Sequence, residues 1–196
     1  MEPIILASSS PRRQEILRLL NIPFAVNPAN IDEVYPDDVA IDSAAEYIAV
    51  EKVKAIIKSV PDGQTVPWIL GADTVIVFGG RIYGKPSSME EAADFIRTFQ
   101  GNTHKVITGV AIYNGSEKRI VSRSSVNLVT FSRMSDEEID WYIGTGEWHD
   151  AAGAYKIQGL ASCFISGIEG SESGVMGLPI FDVYDMLKSQ NYSIIR

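Results

Sequence analysis

Residues 8–13, which read SSSPRR, have the composition of an anion-binding site. Ser10 is a favourable N-cap residue, and Pro11 suits the first position of a helix. Arg12 and Arg13 then fall in the first helical turn, where the helix dipole disfavours cations. Free backbone N–H groups, serine hydroxyls and guanidinium groups together bind anions, and arginine suits bidentate contacts with phosphate. The alternative is a solvated helix start with incidental arginines.

Asp73 lies inside an otherwise apolar run at residues 68–78. A buried carboxylate is costly unless a metal, a cation or hydrogen bonds compensate it. One interpretation is a functional carboxylate; the other is an aspartate bonded to backbone N–H groups at a bulge marked by Gly71. The pair Asp32-Glu33 alone is typical of solvated surface, but together with Asp73 it would supply the oxygen ligands that Mg²⁺ prefers.

The other candidates are weaker when each is taken alone. Lys52 flanks the apolar stripe of a helix, and the spacing favours a solvated lysine; Lys85 is equally unremarkable. His104 is expected to be a hydrogen-bonded structural residue rather than a base. Cys163 lies in an apolar run, which favours a buried inert thiol, and a single cysteine forms no internal disulfide.

A glycine-punctuated segment at residues 153–159 contains Gln158, whose amide offers both a donor and an acceptor. Glycines there could let the backbone approach a ligand, or could form a tight connection between strands. Residues 177–179, which read GLP, form another loop before a helix and could pack against the same cleft.

Composition sets the limits on partners. The chain has 196 residues, 17 lysines and arginines against 25 acidic residues, and a net charge of −8. That balance argues against a nucleic-acid polymer as partner, but leaves room for a small phosphorylated ligand. No apolar stretch reaches the roughly 18 residues of a membrane span, and the N-terminal apolar run is too short for a signal peptide. We therefore expect no membrane partner and a cytoplasmic protein.

Apolar periodicity predicts alternating strands and helices that would position these residues. The predicted strands are residues 4–7, 68–78, 105–113 and 119–131, and the predicted helices are residues 11–20, 43–60, 87–99, 135–143 and 179–188. Capping boxes are predicted to begin at Ser43, Ser87 and Ser135. Asn114-Gly115 predicts a hairpin between the last two strands. The pattern indicates one α/β domain over residues 1–196 with a mixed sheet.

Taken in order, these segments resemble the Maf family of nucleoside triphosphate pyrophosphatases, also called septum-formation inhibitor proteins. The resemblance runs along nearly the whole chain. It rests above all on residues 6–13 (LASSSPRR), 51–55 (EKVKA), 71–74 (GADT), 84–86 (GKP), 152–155 (AGAY), 157–159 (IQG) and 177–179 (GLP).

The resemblance implies two lobes around a central cleft, flanking helices on a mixed twisted sheet, and often a homodimer. It implies cleavage of a nucleoside triphosphate to the monophosphate and pyrophosphate, with a divalent metal cation such as Mg²⁺ or Mn²⁺. Asp73 matches the catalytic position and, with Glu33, the metal position. The phosphate-binding positions match Ser8, Arg13, Lys52 and Lys85, and we add Ser10 from the helix start.

Arg12, Thr74 and Gln158 match positions that separate a dTTP/UTP subfamily from one acting on 7-methyl-GTP, and the residues here favour dTTP and UTP. Ala151 stands where the family usually has lysine, and Gly174 where asparagine is common. Two alternatives stay open: a house-cleaning pyrophosphatase for other modified nucleotides, and a nucleotide-binding regulator of septum formation.

Overall fold

The computed structural model describes residues 1–61, 63–64 and 66–195. The strands in this part of the chain belong to one sheet and are β1 (Ile4–Leu6), β2 (Phe24–Val26), β3 (Trp68–Phe78), β4 (Arg81–Tyr83), β5 (Thr103–Asn114), β6 (Arg119–Phe131) and β7 (Ile165–Glu169). The helices are α1 (Pro11–Leu19), α2 (Ala44–Ser59), α3 (Met89–Phe99), α4 (Asp136–Gly144), α5 (Glu172–Met176) and α6 (Ile180–Ser189). Short 3₁₀ turns cover Ile41–Ser43, Ala152–Ala154 and Leu160–Phe164.

The sheet has the strand order β2-β1-β3-β5-β6-β7, and β4 pairs with β3 outside this path. Strand β1 runs parallel to both β2 and β3, whereas β4 is antiparallel to β3 and β7 is antiparallel to β6. These pairings confirm the predicted mixed sheet. None of the helices in the described part of the chain is long and apolar enough to cross a membrane.

By its contacts the chain divides into two compact units. The first unit consists of Met1–Asp73, Thr108–Ser125 and Gly177–Arg196, and the second consists of Thr74–Ile107 and Val126–Met176. The predicted pair of lobes corresponds to this division. The central cleft and the single domain over residues 1–196 stay predictions.

In the first unit, α2 packs very closely on the sheet. Its apolar side contributes Ala49 and Val53 to a core that includes Ile69 of β3. A β-carbon at Gly71 would lie 2.5 Å from the Ala49 carbonyl oxygen, and one at Gly109 would lie 2.2 Å from the Glu46 nitrogen. Glycines on β3 and β5 therefore allow the helix backbone to rest directly on the strands.

In the second unit, the core is rich in aromatic rings. The Phe99 ring lies 5.0 Å from that of Tyr83 and 4.4 Å from that of His104, measured between centroids. The Nε2 atom of buried His104 shares a 2.8 Å hydrogen bond with the Tyr155 hydroxyl. The prediction that His104 is a hydrogen-bonded structural residue is confirmed.

The three predicted capping boxes have three different outcomes. At α4 the box forms as predicted, with Ser135 as N-cap. At α3 the prediction is off by one residue, because Ser88 is the N-cap and accepts from the Glu91 backbone N–H at 3.2 Å. The Glu91 carboxylate in turn accepts from the Ser87 backbone N–H at 2.7 Å.

At α2 the predicted box is wrong. Ser43 makes no side-chain capping bond, since it ends a 3₁₀ turn with helical dihedral angles (φ −106°, ψ −6°) rather than the extended backbone of a capping serine. The Glu46 carboxylate accepts instead from the Ser122 hydroxyl at 2.6 Å and the Ser124 hydroxyl at 2.8 Å. Glu46 thus ties the first turn of α2 to β6.

The hairpin prediction is confirmed, because β5 and β6 are neighbours joined by residues 115–118. The Asn114 side chain accepts from the backbone N–H of Ser116 at 3.1 Å, which fixes the turn. Sequence analysis did not predict the short strands β2, β4 and β7, which have three, three and five residues. The prediction that Cys163 is buried is wrong. Cys163 is exposed, because it lies in a short 3₁₀ turn in which apolar neighbours do not determine the direction of the side chain.

Candidate active site

The first unit brings the carboxyl end of β1 beside β3. The chain passes from β1 through α1 to β2 on one side, whereas β3 lies on the other side of β1. The Ala7 backbone N–H donates to the Leu70 carbonyl at 2.9 Å. The pairing of β1 with β3 therefore ends near Ala7 and Leu70, and the residues that follow these two start from neighbouring positions. In open α/β sheets, ligands bind outside the carboxyl ends of strands where the strand order reverses in this way.

Ser8 and Arg13 lie together at this edge, where the anion-binding site is predicted. Both are buried, and the Arg13 Nη1 group donates to the Ser8 hydroxyl oxygen at 2.9 Å. That oxygen also accepts from the Ser10 backbone N–H at 3.2 Å. The Arg13 Nε group donates to the Gly177 carbonyl at 2.8 Å, so the 177–179 loop does contact a predicted site residue.

Lys52 joins the two predicted metal-ligating carboxylates. Its Nζ atom lies 2.6 Å from Glu33 Oε1 and 2.7 Å from Asp73 Oδ1, and 3.4 Å from the Ala72 carbonyl oxygen. The Lys52 and Asp73 side chains are only 7% and 12% exposed, whereas Glu33 is 56% exposed. The solvated interpretation of Lys52 is therefore wrong: the close packing of α2 on Gly71 turns this lysine toward β3.

Burial and neighbouring charge compete at Asp73. Burial raises the pKa of Asp73 above its ordinary value, and the positive charges of Lys52 and Arg13 oppose that rise. Burial likewise lowers the pKa of Arg13, against the attraction of Asp73. Sequence analysis required that something compensate the charge of a buried Asp73. The structure shows that the ammonium group of Lys52 does so, at 2.7 Å. The arrangement places a buried carboxylate next to two buried cations, Lys52 and Arg13.

Ser10 and Arg12 lie at the rim of this cluster. Ser10 occupies the predicted N-cap of α1, but its side chain makes no capping bond, and its backbone N–H donates to the Ser8 hydroxyl. Arg12 is half-buried, and its charge contributes to lowering the pKa of Arg13. Two adjacent guanidinium groups in a first helical turn favour an anionic partner.

The remaining predicted site residues belong to the second unit. Thr74 follows Asp73 in β3 and is half-buried. Lys85 is exposed, and its Nζ atom lies 3.9 Å from Asp150 Oδ1. Gln158 is exposed in a turn that the Gly159 N–H closes by donating to the Lys156 carbonyl at 3.1 Å.

Two departures from the family pattern have local structural settings. Ala151 is buried, with 1% exposure, and its N–H donates to the Trp148 carbonyl at 3.3 Å. A β-carbon at Gly174 would lie 2.7 Å from the Nδ2 atom of buried Asn127. The side chain of Asn127 therefore fills the space next to position 174, which explains why a small residue stands there.

Sequence analysis missed the two backbone carbonyls that hold the cations in place. Gly177 orients Arg13 and Ala72 orients Lys52, and neither contact leaves a pattern along the chain because each joins distant segments. Their only sequence signal is indirect: both residues lie within motifs already singled out for other reasons, residues 71–74 and 177–179.

The fold and this cluster define an α/β protein in which a buried aspartate, lysine and arginine lie at the strand-order reversal. Comparison with known proteins agrees with this class. Residues 3–190 match the family model described as Maf-like protein. The dTTP/UTP pyrophosphatase of Pelotomaculum thermopropionicum is 39% identical over 195 residues, covering 100% of both chains. That of Pyrococcus horikoshii is 45% identical over 188 residues, covering 94% of this chain and 95% of its own length.

The likeness to solved structures is more distant. The crystal structure of protein VC0702 from Vibrio cholerae covers 98% of this chain and 99% of its own, with a TM-score of 0.46 and 10% identity. The family assignment depends on the sequence matches, which extend over nearly the full length. This chain belongs to the Maf family.

Proposed function

We propose that this chain hydrolyses dTTP and UTP to the nucleoside monophosphate and pyrophosphate. The observation that carries the proposal is the cluster in which Lys52 contacts both Glu33 and Asp73, on the same sheet edge as Ser8 and Arg13. The full-length relatives named dTTP/UTP pyrophosphatase support the substrate class. Arg12, Thr74 and Gln158 match the residues by which the family resemblance favours dTTP and UTP.

The proposed reaction is attack of water on the α-phosphorus, with pyrophosphate as the leaving group. Asp73 accepts the proton of the attacking water. Arg13 and Lys52 bind the phosphates and stabilise the charge that develops in the transition state, together with the Ser8 hydroxyl and the backbone N–H groups at the start of α1. Lys85 and Ser10 are further proposed phosphate contacts.

Glu33 and Asp73 fit the divalent cation that the family resemblance implies. Their oxygens contact one ammonium nitrogen, so they are close enough to reach a single cation. Within residues 1–61, 63–64 and 66–195, no group of three or more His, Cys, Asp or Glu side chains forms a metal site. Water and phosphate oxygens would complete the ligand set, as Mg²⁺ prefers. A bound cation would neutralise phosphate charge.

A panel of triphosphates assayed for pyrophosphate release tests the function. It should include dTTP, UTP, 7-methyl-GTP, deaminated purine triphosphates and modified pyrimidine triphosphates. We expect turnover of dTTP and UTP above the others. Preferred turnover of modified nucleotides would favour a house-cleaning enzyme, and binding without turnover of any triphosphate would favour a regulator of septum formation.

Asp73→Asn tests the proton acceptor. We expect turnover of dTTP to fall by about 100-fold or more, because a positioned base contributes that much, while the circular dichroism spectrum stays unchanged. Asp32→Asn is the matched control, since Asp32 is an exposed acid next to Glu33. Wild-type turnover in Asp73→Asn would reject the assignment.

Glu33→Gln tests the metal position without relying on activity. We expect weaker Mn²⁺ binding in a titration followed by electron paramagnetic resonance, because one of two carboxylate ligands loses its charge. Equal Mn²⁺ affinity in Glu33→Gln and Asp32→Asn would contradict the ligand role of Glu33.

The homodimer and the cytoplasmic location stay predictions, which light scattering and cell fractionation would check.

A further inference from the structure

Glu147 joins three segments of the second unit through one carboxylate. Its Oε2 atom accepts from the Leu160 backbone N–H at 2.8 Å, and its Oε1 atom accepts from the Ala161 backbone N–H at 3.2 Å. Oε1 also accepts from the Tyr142 hydroxyl of α4 at 3.3 Å. The carboxylate therefore fixes the chain that enters the 3₁₀ turn Leu160–Phe164.

Gly159 lets this carboxylate approach the backbone. A β-carbon at position 159 would lie 2.3 Å from Glu147 Oε2 and 2.5 Å from Oε1. Any side chain there would push the carboxylate away from the two N–H groups that it accepts from. Glycine at 159 and glutamate at 147 thus form one structural unit.

Gln158 lies between two fixed points of this segment. On one side Ile157 is 7% exposed and belongs to the core of the second unit. On the other side Glu147 holds Leu160 and Ala161. The turn that contains Gln158 is therefore anchored at both ends, while Gln158 itself is exposed.

We propose that Glu147 is a positioning residue for nucleobase discrimination, acting through the turn that presents Gln158. This inference rests on the proposed function, in which Gln158 distinguishes nucleobases. A hydrogen bond to a base edge demands accurate placement of the amide, and a shift of about 1 Å in a positioning group can cost up to about 100-fold in rate. Glu147 supplies that placement without contacting the nucleotide.

The test compares dTTP with ATP in the wild-type chain, Glu147→Ala and Glu147→Gln. In Glu147→Ala we expect KM for dTTP to rise about tenfold, the effect of losing one well-aligned hydrogen bond, with kcat changed far less. The ratio of kcat/KM for dTTP over ATP should fall accordingly. Glu147→Gln keeps one acceptor oxygen and should retain an intermediate ratio.

Glu138→Ala is the matched control. Glu138 also accepts a backbone N–H with its carboxylate, that of Ser135 at 2.8 Å, at the other end of α4. We expect this variant to lose stability without changing the dTTP/ATP ratio. If Glu147→Ala does not fold, as judged by its thermal unfolding curve, Glu147→Gln decides the test.

A double variant with Gln158→Ala separates positioning from general stability. If Glu147 acts through Gln158, adding Glu147→Ala to Gln158→Ala should leave the dTTP/ATP ratio where Gln158→Ala alone puts it. Multiplicative losses, or an equal fall in kcat/KM for both nucleotides in Glu147→Ala, would overturn the inference while leaving the proposed function intact. A wild-type chain without turnover of any triphosphate would overturn both.

Discussion

At the scale of single residues, Lys52 neutralises a carboxylate that could not otherwise be buried. Asp73 lies in β3 with its side chain 12% exposed, and the Lys52 ammonium lies 2.7 Å away. Breaking such a buried pair by removing one partner leaves an uncompensated charge, which costs more than the pair contributes. The same contact holds Asp73 next to the cations that we propose bind phosphate.

Lys52→Met should therefore lower the free energy of unfolding by about 3–5 kcal/mol, measured by urea denaturation at pH 7. Lys54→Met is the matched control on the same helix. Lys54 is exposed, and among the described residues its ion pair is with the neighbouring Glu51, at 2.7 Å. We expect that control to change stability by less than about 0.5 kcal/mol.

The double variant Lys52→Met/Asp73→Asn should recover much of the lost stability, since no buried charge is then left unpaired. Equal instability in the single and double variants would contradict the role of Lys52 in compensating the Asp73 charge.

The residue types of the site could be predicted from sequence, but not their surroundings. The cost of a buried carboxylate singled out Asp73, and the arginines in a first helical turn singled out Arg13. Lys52 could not be separated from Lys54 in this way, because helical spacing alone does not show which flank of the stripe meets a strand. Cys163 failed for a similar reason, since apolar neighbours do not determine the direction of a side chain.

At the scale of elements, the site depends on how closely α2 packs on the sheet. Apolar periodicity predicted this helix and β3 well, with the strand bounds Trp68–Phe78 as expected, although the capping box predicted at Ser43 does not form. The contact between them could not be predicted, because a glycine in a strand is equally compatible with a bulge, which is one of the two interpretations of this segment. Its role is to admit the α2 backbone, which follows only when the two elements are brought together.

Gly71→Ala tests that packing. The added methyl group would lie 2.5 Å from the Ala49 carbonyl oxygen and 2.8 Å from the Val53 Cγ2 atom, so helix and strand must separate. We expect a loss of about 1–3 kcal/mol in the free energy of unfolding, together with reduced dTTP turnover as Lys52 moves from Asp73.

Gly144→Ala provides the comparison for this experiment, because a β-carbon at the last residue of α4 meets no atom within 4 Å. It should leave stability unchanged or raise it slightly. If Gly71→Ala were equally harmless, the close approach of α2 to β3 would not be what places Lys52.

At the scale of the whole molecule, the net charge of −8 and the cationic cluster fit together. The cations proposed to bind phosphate are few and are concentrated in the first unit, where Arg13 and Lys52 are buried. The acidic excess is spread over the rest of the chain and would repel long polyanions. Charge counts alone argue against a nucleic-acid polymer as partner, whereas only the fold shows which cations lie together.

The second unit should give the molecule a pH-dependent stability through His104. Burial among aromatic rings lowers the pKa of His104 from 6.5 to about 4. As pH falls, the unfolded chain therefore binds a proton on this residue before the folded chain does. The stability that neutral His104 contributes is fully present above pH 6.5 and is lost progressively as pH falls to about 4. The total loss in the free energy of unfolding is then about 3 kcal/mol.

Urea denaturation of the wild-type chain and of His104→Gln, repeated between pH 7 and pH 4, measures this loss. We expect the free energy of unfolding to fall more steeply with decreasing pH in the wild-type chain, because glutamine binds no proton in either state. The comparison uses slopes, since His104→Gln also removes ring contacts with Phe99 and Tyr155 and so lowers stability at every pH. Parallel slopes would mean that protonation of His104 costs the folded chain nothing, and that carboxylates elsewhere determine its acid sensitivity.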